Sequence, residues 1–311
     1  MDFKKYLKNK ALSKTTIESY YAQTMEFITF LDKDNTEIEN CTEKEIMRYL
    51  GELNKKELSQ QTKKLRLYAL KHFFDYQIEN NQRNDNPAKR IKIQVVRKQR
   101  IYQILSVQEL QNLYESYQVP KEDDKRSHHN WFHSYKLSRE RNKVILGLLI
   151  NQGITTAEVK RILTDDLDLR KGTIDIRGGR IGKDRTLELK SHQIMDLMEY
   201  QYKTRTELLK FQQQSTQQLF LSTPSSGENY ASGNGNLQIW KSLTKELKTQ
   251  NPKVVNFKQV RASVITHWFK QYNLRQVQYR AGHRHIHSTE EYLINDIEDL
   301  QTEIDKFHPL G

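Results

Sequence analysis

A short segment near the C-terminus gathers several side chains that take part in chemistry. The stretch RAGHRHIHSTEEYL, Arg280–Leu293, carries three histidines, two glutamates and one tyrosine. Histidine and carboxylate side chains bind zinc, whereas a tyrosine hydroxyl can act as a nucleophile. His283, His285 and His287 alternate, so they would share one face of a strand but spread around a helix. The segment has none of the close Cys and His spacings of zinc sites and no H-E-x-x-H, so we expect no metal and no other cofactor.

The elements that precede this segment are mainly helical, beginning with three helices in the first ninety residues. Ser13 is the expected N-cap of LSKTTIESYYAQTMEFITFL, and Thr42 with Glu45 forms a capping box at the start of CTEKEIMRYLGEL. The third helix lies in LSQQTKKLRLYALKHFFDYQIEN and ends before Pro87, which lacks the N–H that a helix needs. The expected apolar positions, in chain order, are Ile17, Tyr20, Tyr21, Met25, Ile28, Leu31, Ile46, Tyr49, Leu50, Leu53, Leu65, Leu67, Leu70, Phe73 and Phe74.

The remaining two thirds of the chain predict a second helical domain that contains a small sheet. An extended basic linker, KIQVVRKQRIYQIL, leads to a capping box of Ser106 with Glu109 and then to the polar insertion KEDDKRSHHNWFHSYK. A helix is expected from about Leu137 to Gly153. Alternating apolar residues between glycines in LDLRKGTIDIRGGRIGKDRTLELK predict a three-stranded meander. We therefore predict an α+β protein that is mainly α with a small antiparallel β-meander.

The composition favours a polyanionic partner. The 311 residues include 51 Lys and Arg against 39 Asp and Glu, a formal net charge of +12 at pH 7. Residues 61–100 hold eleven of the basic side chains and only three acids. Nucleic acid is the expected partner. No apolar run approaches the roughly 18 residues of a membrane span, the N-terminus lacks the apolar core of a signal peptide, and the single Cys41 fits a reducing cytoplasm.

The order of these blocks resembles the tyrosine recombinases, also called phage integrases, over nearly the whole chain. The three N-terminal helices are similar to the SAM-like core-binding domain of the Xer-like branch. GLLINQGITTAEVKRILTDDLDLRKGTIDIRGGRIGKDRTLEL resembles the family's helix and β-meander, and KQVRASVITHWFKQYNLRQVQYRAGHRHIHSTEEYL its signature C-terminal box. The resemblance implies a core-binding domain over residues 1–92, a basic linker over 93–104, and a catalytic domain over 105–311 with a tail helix over 296–311.

The resemblance implies a site-specific recombinase, of the Xer or mobile-element integrase kind, that needs neither metal nor ATP. A tyrosine attacks the phosphodiester and forms a 3′-phosphotyrosyl bond, while arginines and hydrogen-bond donors neutralise charge on the non-bridging oxygens. Tyr292, nine positions after His283, matches the nucleophile. His283 matches a donor to the scissile phosphate, and Arg261 matches the bidentate phosphate clamp.

Two catalytic positions depart from the family pattern. Thr155 stands where the family has its first arginine, so one cation of the phosphate clamp is missing, and Arg141 or Arg161 could replace it. Lys258 stands at the first histidine of the H-x-x-R motif. A lysine there can still donate to phosphate, although it serves less readily as a base at neutral pH.

The general acid is a further departure. The hairpin lysine of the family corresponds to Arg180 in GGRIGKDR, and Lys183 follows three residues later. Because an arginine holds its proton up to a pKa above about 12, Lys183 is the favoured acid. These departures leave open a non-cleaving accessory protein of the same fold, and a relaxing topoisomerase shares the chemistry.

The resemblance also implies double-stranded DNA as partner and a synaptic tetramer on that DNA. The tail, with seven acids and one lysine from Glu290 to Gly311, would dock into a neighbouring protomer. The candidate DNA-binding residues are Lys63, Lys64, Arg66, Lys71, Arg90, Lys92, Arg97, Lys98 and Arg100.

Overall fold

The chain forms two compact units, Met1–Gln99 and Arg100–Gly311, in a computed structural model. The structure describes residues 2–95, 102–121, 123–180, 182–224, 230–231 and 235–293, with the backbone alone over 235–238. Helices dominate both units, and three short antiparallel strands lie in the second. The predicted mainly α fold with a small β-meander is therefore confirmed. Within these ranges, no helix is both long enough and apolar enough to cross a membrane.

The first unit contains the three predicted helices and one short helix before them. Their bounds are α1 Phe3–Asn9, α2 Lys14–Asp32, α3 Glu43–Lys55 and α4 Gln60–Glu79, with a 3₁₀ turn at Ile38–Asn40. The Ser13 hydroxyl accepts from the backbone N–H of Thr16 at 3.2 Å, and Thr42 and Glu45 form the reciprocal capping box. These predicted caps are confirmed.

The buried face of this unit differs from the predicted one at two apolar positions. Met25 and Leu65 are each 42% exposed, whereas Phe27 is fully buried. Helix α2 packs on both α1 and α4, and Met25 lies two residues, about 200°, around the helix from Phe27. The other predicted positions of α3 and α4 are buried. The short helix α1 was not predicted, and its Phe3 packs edge-on against Phe73 at 5.3 Å between ring centroids.

Three of the predicted DNA-binding side chains hold this unit together. Lys63 donates to Asn54 Oδ1, Arg66 donates to Tyr49 Oη and pairs with Glu26, and Lys71 donates to the carbonyls of Lys89 and Ile91. The sequence pattern puts Lys63 among the basic residues opposite the apolar side of this helix, but its side chain is only 5% exposed. The reason is that its ammonium group reaches helix α3, where it donates to Asn54.

The other basic candidates fall into two groups. Lys64 is partly exposed, and Arg90 and Lys92 are exposed. Arg97 and Lys98, together with Arg100, lie outside the described residues, as does the expected tail helix.

The second unit surrounds the long helix α6 with shorter elements. Its helices are α5 Val107–Glu115, α6 Phe132–Asn151, α7 Thr156–Val159, α8 Ser191–Glu199, α9 Arg205–Leu209, α10 Gly235–Gln250, α11 Phe257–Trp268, α12 Leu274–Ala281 and α13 His287–Glu290. A 3₁₀ turn spans Thr164–Asp166, and a π turn at Tyr200–Thr204 joins α8 to α9. The predicted capping box of Ser106 with Glu109 is present. Helix α6 begins at Phe132, before the predicted Leu137, and the Phe132 side chain is buried.

The sheet of this unit is the predicted antiparallel meander. Its strands are β1 Leu167–Asp168, β2 Thr173–Ile176 and β3 Arg185–Glu188, in the order β1-β2-β3. Ile174 pairs with Leu167 on one side and with Leu187 on the other, so alternate apolar side chains enter the core. The connection from β2 to β3 carries Arg180 and Lys183.

Candidate active site

Helix α11 carries Arg261 into the interior of the second unit. The Asn256 side chain caps the helix by accepting two backbone N–H groups of its first turn. Arg261 is only 9% exposed. Its guanidinium donates to the carbonyls of Gly153 and Ala281, the latter at 2.7 Å. The two carbonyls hold the guanidinium between the end of α6 and the end of α12.

His283 follows a sharp end of helix α12. Gly282 adopts the left-handed conformation with φ +69°, which turns the chain and brings His283 to Arg261. His283 Nε2 lies 3.1 Å from Arg261 Nη2, and His283 Nδ1 lies 2.9 Å from Thr289 Oγ1. Because arginine has only donors, Nε2 accepts, so the ring proton sits on Nδ1 and is donated to Thr289. Thr289 is fully buried and therefore fixes the orientation of the ring.

Tyr292 lies two residues after helix α13, and its ring stacks on that of His283. The ring centroids are 5.6 Å apart and the planes differ by 15°. Burial lowers the pKa of the Arg261 guanidinium, and the nearby negative charge of Glu158 opposes that shift. Tyr292 remains partly exposed. Three side chains from separate elements thus form one cluster that is open on the tyrosine side.

The β2–β3 connection packs against the turn that carries His283. Lys183 donates its backbone N–H to the Gly282 carbonyl at 2.9 Å, and Gly182 forms an isolated antiparallel bridge with His283. Both Lys183 and Arg180 are exposed. The backbone contact places Lys183, more directly than Arg180, beside the cluster.

Thr155 caps helix α7 and binds a buried carboxylate. Its hydroxyl accepts from the Glu158 N–H at 3.1 Å and donates to Glu158 Oε2 at 2.9 Å. Glu158 Oε1 accepts from Arg185 Nη1 at 2.7 Å, and Glu158 Oε2 lies 3.9 Å from Arg261 Nη1. Sequence reasoning missed both Glu158 and Arg185. The T-x-x-E spacing of Thr155 and Glu158 predicts a capping box. No pattern in the sequence predicts that Glu158 contacts Arg185.

Two family profiles match the chain. The profile described as "Phage integrase, N-terminal SAM-like domain" matches residues 1–81, and "Phage integrase family" matches residues 125–298. The chain belongs to the phage integrase family. The predicted family is thus confirmed, and the protein is a site-specific tyrosine recombinase.

Individual relatives of this recombinase have low sequence identity, but the similarity covers much of each chain. A Caldanaerobacter subterraneus protein assigned to the tyrosine recombinases is 26% identical over 205 residues, which are 66% of this chain and 64% of that protein. The tyrosine recombinase XerA of Pyrococcus furiosus is 24% identical over 292 residues, 94% of this chain and 87% of the relative. A crystal structure of the XerH site-specific recombinase bound to its difH substrate, before cleavage, shares the fold at a TM-score of 0.64 and 19% identity, covering 94% and 82% of the two chains.

Two arginines, Arg141 and Arg161, are the candidates from the sequence to replace the missing first arginine of the phosphate clamp. Arg141 is 2% exposed and donates to the Leu221 carbonyl at 2.7 Å, so its guanidinium is held in the interior. Arg161 donates to the Arg177 carbonyl at 3.1 Å, and its guanidinium lies against Gly179 in the hairpin. Arg141 is therefore the weaker replacement of the two.

Lys258 and the remaining histidines of the segment lie at the surface of the recombinase. Lys258 is exposed in the first turn of α11, one turn before Arg261. His285 and His287 are exposed, and His287 Nδ1 lies 3.7 Å from Glu290. Across the described ranges, no group of three or more His, Cys, Asp or Glu side chains is arranged to hold a metal ion.

The pKa of His283 predicts how stability depends on pH. Burial, Arg261 and Arg185 lower the pKa of His283 to about 4, against roughly 6.5 in an unfolded chain. Between these values the unfolded chain binds the extra proton, so this contribution to stability is present above about pH 6.5 and is lost as the pH falls towards about 4. His283→Gln should therefore flatten the fall in unfolding free energy between about pH 7 and about pH 5, as measured by urea denaturation.

The matched control for this prediction is His285→Gln. Because His285 is exposed, its replacement should leave the pH dependence of stability as in the wild type. An equal pH dependence in wild type and His283→Gln would contradict a depressed pKa at His283.

Proposed function

We propose that this recombinase cuts and rejoins double-stranded DNA through a 3′-phosphotyrosyl intermediate formed on Tyr292. The single observation that carries the proposal is the cluster in which the Tyr292 ring stacks on His283 and His283 Nε2 bonds to Arg261. Phosphoryl transfer needs a nucleophile and a cationic hydrogen-bond donor at the same phosphate, and the Tyr292 and Arg261 side chains both contact His283. The same cluster matches the motif residues of the family.

The proposed reaction transfers one phosphoryl group without a net change in bond type. The Tyr292 oxygen attacks the phosphorus and forms a P–O bond, its hydroxyl proton leaves to solvent water at the partly exposed side of the ring, and the bond from phosphorus to the 5′-oxygen breaks. Lys183 supplies the proton that the leaving 5′-oxygen takes up. Arg261, supported by Lys258 one turn earlier, binds the non-bridging oxygens. Because a phosphodiester is replaced by another phosphodiester, a 5′-hydroxyl of a partner strand can reverse the step.

His283 has two proposed tasks at this site. In the unbound protein its Nε2 accepts from Arg261, so the ring orients the guanidinium. A phosphate that takes over the Arg261 donor releases Nε2, and a change of tautomer then lets His283 donate to the phosphate. Thr289, which holds Nδ1, accommodates either tautomer because a hydroxyl both donates and accepts.

The proposed DNA surface and assembly follow the family. We propose residues 1–92 as the core-binding domain, 93–104 as the linker and 105–311 as the catalytic domain. The exposed Arg90 and Lys92, with the partly exposed Lys64, are the proposed phosphate contacts among the described candidates. The protein is proposed to act in the cytoplasm as a tetramer on paired DNA sites, and the removal of residues 296–311 should abolish cooperative pairing of two sites.

The test of the proposed function is the capture of a covalent adduct. The protein is incubated, in the presence of a chelator, with 5′-labelled DNA that flanks its own gene, and the products are separated on a denaturing gel. The labelled strand is expected to shift to a protein–DNA band, because the 3′-phosphate stays on the protein. Tight and salt-sensitive binding without any adduct would instead indicate a non-cleaving protein of this fold.

The two-point contact of Arg261 with phosphate predicts a large loss of cleavage rate in a variant that keeps the positive charge. Arg261→Lys should lower the single-turnover rate of adduct formation by about 10²–10³-fold, because lysine cannot reproduce a two-point guanidinium contact. The matched control is Arg275→Lys on the exposed side of α12, which should cleave at the wild-type rate. An Arg261→Lys rate within threefold of the wild type would contradict the clamp.

A further inference from the structure

Arg185 is a buried cation that has no role in the proposed reaction. Its side chain is 0% exposed. Its Nε donates to the Arg280 carbonyl and its Nη1 to Glu158 Oε1, each at 2.7 Å. Its guanidinium also lies against Gly282, where a Cβ would stand 2.3 Å from Nη1, too close for any residue but glycine. One side chain therefore joins helix α7, the end of helix α12 and the turn that carries His283.

The Glu158 carboxylate is satisfied without Arg261. Oε1 accepts from Arg185, and Oε2 accepts from the Thr155 backbone N–H at 2.7 Å and from the Thr155 hydroxyl at 2.9 Å. The 3.9 Å from Arg261 Nη1 to Oε2 is beyond hydrogen-bonding distance. Arg261 consequently feels the charge of the carboxylate but is not held by it, and its donors go to neutral acceptors.

The cluster of Glu158, Arg185, Arg261 and His283 carries one net positive charge. Glu158 carries one negative charge, Arg185 and Arg261 carry two positive charges, and His283 is neutral because burial lowers its pKa to about 4. Arg185 makes the short ion pair with Glu158, so the unpaired positive charge belongs to Arg261. A phosphodiester carries a single negative charge and is its complement.

Packing alone does not account for the placement of Arg185. Its Nη2 is buried and has no hydrogen-bond partner in the described part of the chain. A buried donor without a partner costs stability, so a residue selected only for stability at this place would be a poor choice. The residue at position 155 explains why Glu158 pairs with Arg185. The donors of Thr155 are neutral, so the negative charge of the Glu158 carboxylate is balanced only by a nearby cation.

We propose that Arg185 is a positioning residue which occupies Glu158 and thereby keeps Arg261 available to the scissile phosphate. The proposal rests on the proposed function of Arg261. Without Arg185, Glu158 Oε1 loses its donor, and Arg261 needs to move only about 1 Å to form a hydrogen bond with the carboxylate. Arg261 would then be neutralised before a phosphate arrives.

The kinetic test is a double-mutant cycle. Arg185→Met should lower the single-turnover rate of adduct formation by about 10²-fold. Adding Glu158→Gln removes the anion that captures Arg261, so the double variant should react at least tenfold faster than Arg185→Met. Effects of the two changes that simply multiply would overturn the proposal. The matched control is Arg177→Met, which breaks a more exposed pair with Asp166 in the same hairpin and should cleave normally.

The double variant keeps the net charge of +1 that the wild-type cluster has, since one anion and one cation are removed together, so it serves as the folded reference. If Arg185→Met alone does not fold, Arg185→Gln takes its place with and without Glu158→Gln. Glutamine offers Glu158 a neutral donor but no cation, so the same order of rates is expected with a smaller gap. Equal rates for Arg185→Gln and its Glu158→Gln double variant would overturn the proposal.

A second readout follows His283 by NMR in the protein labelled at histidine and free of DNA. The pKa of His283 is lowered by burial, Arg261 and Arg185, whereas Glu158 raises it. Arg185→Met should raise this pKa, and the added Glu158→Gln should lower it again. Loss of the Arg185 charge alone also raises this pKa, so the result that bears on positioning is the ¹⁵N signal of His283 Nε2 at neutral pH, which should change if Arg261 moves from Nε2 towards Glu158. This readout needs no cleavage: wild-type protein without any adduct counts against the proposed function, and an unchanged Nε2 signal in Arg185→Met counts against the role of Arg185.

Discussion

Tyr292→Phe is expected to abolish the covalent protein–DNA adduct and to leave DNA binding unchanged. Phenylalanine retains the ring that stacks on His283 and lacks only the oxygen that attacks phosphorus. The adduct yield on a denaturing gel should fall by more than about 10³-fold, since no other group replaces a missing nucleophile. Native gel shifts at a fixed salt concentration should give the wild-type affinity, because phosphate contacts by basic side chains dominate binding.

The control for Tyr292→Phe is another tyrosine of the same unit. Tyr202 is 67% exposed in the π turn after α8, so Tyr202→Phe should form the adduct at the wild-type yield. An adduct that persists in Tyr292→Phe would identify a different nucleophile. Protease digestion and mass spectrometry of that adduct would then locate the modified residue.

The sequence predicted those parts of the fold that depend on near neighbours. The caps at Ser13, Thr42 and Ser106 follow from side chains that bond to the next turn. The meander follows from alternation that glycines interrupt. Met25 and Lys63 were misplaced for the opposite reason. Their exposure is decided by which helices pack against α2 and α4, and such contacts leave no periodic signal when several sides of a helix are covered.

The residues of the candidate site also divide into those that a sequence motif identifies and those that depend on long-range contacts. The motif that names Arg261, His283 and Tyr292 is short and ordered along the chain, and the structure brings these three side chains together. The pair of Glu158 and Arg185 was not found, because the residues are 27 positions apart and meet only when the hairpin folds back on α7. The missing first arginine could be noticed from Thr155, but its consequence for Glu158 depends on that long-range contact.

A general acid at Lys183 predicts the second large effect. Lys183→Met should lower the rate of adduct formation by about 10²–10⁴-fold, which is the usual contribution of a positioned proton donor. The backbone of Lys183 is bonded to Gly282, beside the turn of His283, and this contact does not depend on the lysine side chain. The hairpin should therefore keep its place in the variant. Arg180→Met, which changes the other candidate, should cost less than about tenfold.

The identity of the acid is separated from a structural effect by changing the leaving group. In a DNA strand whose bridging 5′-oxygen is replaced by sulfur, the leaving thiolate is a weaker base and departs without a proton. Lys183→Met should cleave this strand at close to the wild-type rate, and Tyr292→Phe should not cleave it at all. If Lys183→Met is equally slow on both strands, Lys183 acts on the phosphate rather than on the leaving oxygen. A recovery by sulfur in Arg180→Met, and not in Lys183→Met, would assign the proton to the arginine position despite its high pKa, and that proton would then have to come from a water molecule held by Arg180.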